Sequence, residues 1–260
     1  RRGTIAFPEP EQASMRILGL IGGMSWESTA VYYRLINQEV RARLGPLRSA
    51  ELLLASVDFG PIEQMQREGR WDDAAEHLAA VARRLAAGGA DCLVLCTNTM
   101  HKLADRIEAA ARLPLLHIAD ATGAAAVAAA AGRVGLLATA YTMEQPFLKE
   151  RLAQRFGLEV LVPDAHGRRD VHRIIYDELC AGVVRDESRQ VYRDIIDSLC
   201  ARGAQAIVLG CTEIALLIGQ DDTPVPVLDT TALHARAAVD FALGSQAGAV
   251  EGLRGVRGAL

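Results

Sequence analysis

A cysteine followed by a threonine recurs at two matched places, as Val94-Leu95-Cys96-Thr97-Asn98-Thr99 and as Val208-Leu209-Gly210-Cys211-Thr212-Glu213. Each cysteine closes a short apolar, β-branched run, the pattern of a strand terminus, and the two lie 115 positions apart (211 − 96). Either thiol alone reads as a small core hydrophobe. As a symmetric pair they suggest chemistry, because backbone N–H groups and the helix dipole where a strand meets a helix can lower a thiol pKa toward neutrality. One thiolate and one thiol on opposite walls of a cleft would remove a proton from one face of a carbon and return another to the opposite face. Thr97, Asn98 and Thr99 can cap a following helix and turn donors toward a carboxylate, with Thr212 and Glu213 their counterparts. Glu213 also offers an acceptor for an ammonium group. Plain helix caps are the structural alternative for all five.

No metal site is expected. The cysteines form no Cys-x-x-Cys pair, and the nearest histidine, His101, falls one helical turn away. Cys92, inside a strand pattern, and Cys180 and Cys200, in helical patterns, read as packing residues.

The elements that must position the thiols alternate between short β-rich runs and longer helical patterns, the order of an α/β fold with mainly parallel sheets. Strands are expected at 16–21, 51–57, 91–95, 115–118, 134–138, 159–162, 206–209 and 225–228. Helical spacing marks Glu27 to Leu44, Trp71 to Ala87, Glu187 to Cys200 and Thr231 to Ala242. Landmarks repeat in order: Gly19-Leu20-Ile21 as Gly135-Leu136-Leu137, Val57-Asp58 as Pro163-Asp164, Gly89-Ala90 as Gly203-Ala204, and Pro114-Leu115-Leu116 as Pro226-Val227-Leu228. The reading is an internal duplication: two pseudo-symmetric units, each a four-stranded sheet flanked by helices. One unit takes 15–118 plus 224–244 and the other 119–223, with 1–14 and 245–260 as a disordered leader and tail. Ligands of open α/β sheets bind outside the carboxyl ends of the strands, so the site belongs in the cleft between the units.

Composition narrows the partners. With 260 residues, 50% hydrophobic and 23% charged, the chain can bury a core, and its formal net charge of −4 leaves no basic footprint for nucleic acid or an anionic membrane. Five cysteines, an odd number, fit reduced thiols in the cytoplasm better than a disulfide framework. There is no Gly-x-Gly-x-x-Gly or P-loop string. A small-molecule ligand remains the expectation.

With these motifs the chain resembles the aspartate/glutamate racemase family, in particular its aspartate racemase and broad-specificity amino-acid racemase branch. The motifs are Gly19-Leu20-Ile21-Gly22-Gly23-Met24-Ser25-Trp26-Glu27-Ser28-Thr29, Leu95-Cys96-Thr97-Asn98-Thr99-Met100-His101 and Gly210-Cys211-Thr212-Glu213-Ile214. The resemblance implies a cofactor-independent, two-base racemase with Cys96 and Cys211 as acid/base pair, commonly a homodimer. It implies Met24 in the first substrate loop, Thr97, Asn98 and Thr99 on the α-carboxylate, and Thr212 and Glu213 completing the pocket. Gln66, with Gln64 as near alternative, and Thr139 and Thr142 are further carry-overs. Members specific for acidic substrates are expected to place a basic residue after the Asp177-Glu178-Leu179 helix, where this chain has Gly182-Val183-Val184. Arg48 or Arg185 would have to replace that cation, so broad or neutral side-chain specificity is preferred. Closure over the substrate, with Gly22 and Gly23 as flexible points, is expected. The alternatives are a maleate-type cis-trans isomerase with a cysteine nucleophile and a non-catalytic two-lobed amino-acid sensor.

Overall fold

The computed structural model describes residues 15–244. Two four-stranded sheets are built from eight strands, β1 (Leu18–Gly22), β2 (Leu52–Ser56), β3 (Cys92–Leu95), β4 (Leu115–Leu116), β5 (Arg133–Ala138), β6 (Glu159–Leu161), β7 (Ala206–Gly210) and β8 (Val227–Asp229). The orders are β2-β1-β3-β4 and β6-β5-β7-β8, with every pairing parallel. The second order is the first with four added to each number, so the duplicated landmarks correspond to a duplicated topology. The central strands β1, β3 and β7 are buried along their whole length, as expected when helices cover both faces of a parallel sheet.

The helices are α1 (Trp26–Leu44), α2 (Phe59–Arg67), α3 (Trp71–Ala87), α4 (Ala104–Ala111), α5 (Ile118–Ala128), α6 (Ala140–Glu144), α7 (Pro146–Phe156), α8 (Ala165–Asp177), α9 (Asp186–Ala201) and α10 (Thr230–Ala242). None of the described helices is long and apolar enough to cross a membrane. The repeated aspartates have matched local roles. Asp58 caps α2 by accepting from the Gly60 amide, and Asp164 caps α8 by accepting from the Gly167 amide. Pro146 starts α7, and Gly157, at φ 67°, ends it in the left-handed conformation.

One face of the first sheet packs under α3 and α4 through Ile21, Leu78, Leu95 and Ile107, and the other under α1 and α10 through Leu20, Ile36, Val94 and Val239. The second sheet has its own core, centred on Leu136, Ile174, Ile196 and Val208. Helix α5 follows β4 of the first sheet, yet its Ile118, Ala119 and Ala126 belong to the second core. Helix α10 follows β8 of the second sheet, and its Ala235, Ala238, Val239 and Ala242 belong to the first.

Two expectations need correction. Residues 224–229 were placed with the first unit, but β8 pairs with β7, so the chain returns to the first sheet only with α10. Helices were expected directly after Cys96 and Cys211, where the chain forms five-residue 3₁₀ turns, Thr99–Leu103 and Thr212–Leu216. Gly22 and Gly23 sit where no side chain fits: a Cβ on Gly22 would collide with the Thr29 side chain, and one on Gly23, at φ +92°, with the Val57 backbone. The expected leader and tail at 1–14 and 245–260 lie outside the described residues.

Candidate active site

The carboxyl ends of the central strands open into one cleft, with a cavity of about 80 Å³. Met24, Gln66, Thr97, Asn98, Thr99 and Thr139 line it together with Cys211, Thr212 and Glu213. These nine residues singled out from sequence therefore meet at one place, whereas Cys96 and Thr142 do not line the cavity. Cys96 follows β3 directly, is fully buried in the core under α1 and α10, and points its thiol toward the Val94 carbonyl at 3.7 Å. Its neighbours Thr97 and Asn98 are already on the wall.

Cys211 follows β7, is partly buried, and donates its thiol proton to Glu213 Oε2 at 2.9 Å. The same carboxylate accepts from Ser25 Oγ at 3.2 Å. Burial pushes the Cys211 thiol well above its ordinary value, and the Glu213 charge and hydrogen bond add to the shift. Burial likewise holds the Cys96 thiol far up. The expectation of a lowered thiol pKa is thus reversed in the ligand-free state. The 3₁₀ turns that replace the expected helices offer little dipole, and among the described residues no cation stands in the cavity wall to oppose desolvation.

Hydroxyls join the walls. Thr212 Oγ1 lies 2.6 Å from Ser28 Oγ on α1 and 3.3 Å from Thr231 Oγ1 on α10, tying the Cys211 turn to the first half. Thr99 Oγ1 is 3.2 Å from Thr142 Oγ1, which is itself 3.4 Å from Thr139 Oγ1. Asn98 Nδ2 donates to Thr230 Oγ1 at 3.1 Å, and Thr230 donates onward to the Leu209 carbonyl at 2.8 Å. That chain couples the turn after Cys96 to strand β7. Asn98 Oδ1 is buried without a hydrogen-bond partner among the described residues, an orphan acceptor inside the site.

Several assignments become definite. Gln66 is buried against the cavity, whereas Gln64 is exposed and bonds Glu68. Thr142 is fully buried and reaches the ligand space only through its hydroxyl neighbours. Arg48 and Arg185 are exposed and do not line the cavity; Arg185 lies 3.9 Å from Glu178. Among the described residues Glu213 is the one charged side chain in the lining, with no Lys, Arg or His beside it. Cys180, read as packing, is exposed and forms part of the wall with Ile175 and Tyr176 from α8. No sequence signal marked it, because a helical pattern ending at Leu179 hides the short turn that carries it to the cleft.

A sequence profile for the Asp/Glu/Hydantoin racemase family matches residues 21–238. Among curated proteins, the glutamate racemase of Pseudomonas putida strain F1 is 30% identical over 203 residues, covering 76% of this chain and 74% of its own. Among solved structures, a Yersinia pestis protein provisionally assigned as an Asp/Glu racemase is 56% identical, with a TM-score of 0.85, covering 88% of this chain and 100% of that one. An aspartate racemase homologue from Pyrococcus horikoshii is 30% identical, with a TM-score of 0.78, covering 88% and 99%.

Proposed function

The chain belongs to the Asp/Glu/hydantoin racemase family, and from that premise we propose that it interconverts L- and D-amino acids without a cofactor, by proton transfer at Cα between Cys96 and Cys211. The observation that carries the reading is the equivalent placement of the two cysteines in the chain: each directly follows the central strand β3 or β7 of its sheet, Cys211 in the cavity wall and Cys96 beside the wall residues Thr97 and Asn98. One cysteine, as thiolate, takes the Cα proton as the Cα–H bond breaks, and the electron pair delocalises into the α-carboxylate. The other delivers its S–H proton to the opposite face. The pair ends with its protonation exchanged, and no proton is consumed.

The rest of the site follows from the weakness of the carbon acid. Donors from the Thr97 to Thr99 turn and from Thr212 would hold the carboxylate as its charge grows, each worth about 2.7–4 kcal/mol when well placed. Glu213 would take the substrate ammonium, and pairing would cancel the negative charge that raises the Cys211 thiol. Cys96 must turn its Sγ out of the core to take part. Its present burial is the observation that favours the sensor alternative.

Side-chain choice is read as broad, with neutral side chains preferred to aspartate or glutamate. A second carboxylate would enter a cavity whose one charge among the described residues is Glu213 and whose wall includes Phe59, Ile175 and Tyr176. The reading includes a cytoplasmic homodimer.

Proton NMR in D2O tests it with isosteric pairs, aspartate against asparagine and glutamate against glutamine, beside homoserine, methionine and leucine. Cα deuteration with formation of the opposite enantiomer, lost in Cys96→Ala and in Cys211→Ala, is expected, with the neutral member of each pair turned over faster. Binding without exchange would establish the sensor instead. Exchange confined to the acidic members would refute the side-chain assignment alone.

A further inference from the structure

Three histidines from separate segments meet: His101, five residues after Cys96, His117 and His234, all buried. The His101 ring centroid is 4.6 Å from that of His117 and 5.5 Å from that of His234. Hydrogen bonds fix two of the tautomers. The Ile118 amide donates to His101 Nε2 at 3.2 Å, so the ring proton sits on Nδ1 and is donated to the Thr97 carbonyl at 2.7 Å. His234 Nε2–H donates to the Leu116 carbonyl at 2.7 Å, and its Nδ1 accepts from the Tyr32 hydroxyl at 2.9 Å. Both nitrogens of His101 and of His234 are engaged, which leaves neither ring a lone pair for a metal. His101 therefore spans two points: the carbonyl of the residue that follows Cys96, and the first amide of α5, where the chain crosses to the second sheet.

We propose that His101 is a positioning residue for Cys96: by holding the Thr97 carbonyl it fixes the Cys96–Thr97 backbone against the crossover helix, so that the buried Sγ reaches the cleft by side-chain rotation alone. The inference rests on the two-thiol reading of the site. Cys96 starts further from the cavity than Cys211, so its transfer depends more on where the backbone is held. A displacement of about 1 Å at a reacting group costs roughly a hundredfold in rate. A histidine that only filled the core would lower stability when replaced and leave the balance between the thiols unchanged.

The experiment compares the full-length chain with His101→Leu, which removes both bonds, and His101→Asn, whose amide nitrogen can still donate to Thr97. Folding is verified by circular dichroism. Primary isotope effects are measured with Cα-deuterated L- and D-substrate, and iodoacetamide labelling of Cys96 relative to Cys211 is followed by peptide mass spectrometry. In H101L, kcat should fall by roughly ten- to a hundredfold with little change in KM. The isotope effect should rise for the enantiomer that Cys96 deprotonates and fall for its mirror image, and labelling of Cys96 should increase relative to Cys211. H101N should keep the wild-type pattern in all three. Equal isotope effects in H101L, or an H101N variant that behaves like H101L, would overturn the proposal. Should H101L not fold, His101→Gln, with its amide one bond further out, supplies the contrast. A wild-type protein that exchanges no Cα proton refutes the two-thiol reading, while the labelling contrast still decides whether His101 holds the Cys96 turn.

Discussion

Lowering the pH from 7 to 5 should cost this fold several kcal/mol, because its buried histidines are held neutral. Burial drives the His101 ring well below its ordinary value, His117 down to about 2, with Arg151 adding to the effect, and His234 down to about 4. In the unfolded chain each titrates near 6.5, so at pH 5 the unfolded state has bound a proton at each site that the folded state has not. The stability these groups supply is present above about 6.5 and is lost as pH falls below it. At about 1.4 kcal/mol per unit, over roughly 1.5 units, each ring costs about 2 kcal/mol at pH 5, hence about 4 kcal/mol for His117 and His234 together. His101 adds to this in the same direction. Asp229, raised by burial, opposes it, gaining stability as pH falls. Carboxylates lowered by their partners, such as Glu178 and Asp222, keep their contribution until more acid pH. Against a total of about 5–15 kcal/mol for a typical domain, the loss is large. Urea titrations at pH 7 and pH 5 measure it, and nitrogen NMR of the imidazoles reads their protonation directly. A difference below about 1 kcal/mol, or rings that protonate near 6.5 in the folded protein, would refute the argument.

Other outcomes follow from single contacts. Replacing Gly23 with alanine forces a Cβ into the Val57 backbone at a left-handed φ, and should lower stability by at least about 1–2 kcal/mol in thermal melts. Glu213→Gln removes the charge that raises Cys211, so the alkylation rate of Cys211 plotted against pH should shift to lower pH, with Cys92 as an unaffected buried reference. Iodoacetamide should label Cys180 in the ligand-free protein well before Cys92 or Cys96, and amino-acid ligands that fill the cavity should slow it; equal rates at all three would contradict the burial pattern.

Period and repetition made the strands legible. The apolar runs around Leu20, Val94, Leu136 and Val208 announce central parallel strands, and the repeated Asp58 and Asp164 mark caps whose function was not foreseen. The pair of Cys-Thr motifs pointed to the cavity that Thr97, Cys211 and Thr212 line, since strand termini of parallel sheets share one edge. What sequence left open was set by geometry with no local code. Whether Cys96 faces cleft or core is a choice of side-chain rotation. Its pKa depends on desolvation by Tyr32, Leu20 and other neighbours distant in the chain. The turns after both cysteines became 3₁₀ rather than α because hydrogen bonds such as His101 N–H to Asn98 O and Ile214 N–H to Cys211 O close over three residues. The return crossing was misplaced because Val225 to Leu228 reads the same as an edge strand in either sheet.

The seating of α5 and α10 has a consequence for how the molecule comes apart. Each half lends the helix after its last strand to the other, so neither half owns a complete core. Pulling the halves apart would strip apolar surface from both at once, and denaturation should proceed as one transition despite the two sheets. The exchange is also the arrangement by which two half-length copies would complete one another as a domain-swapped pair. Tandem fusion of such copies would preserve every interface, with the partner simply moved onto the same chain.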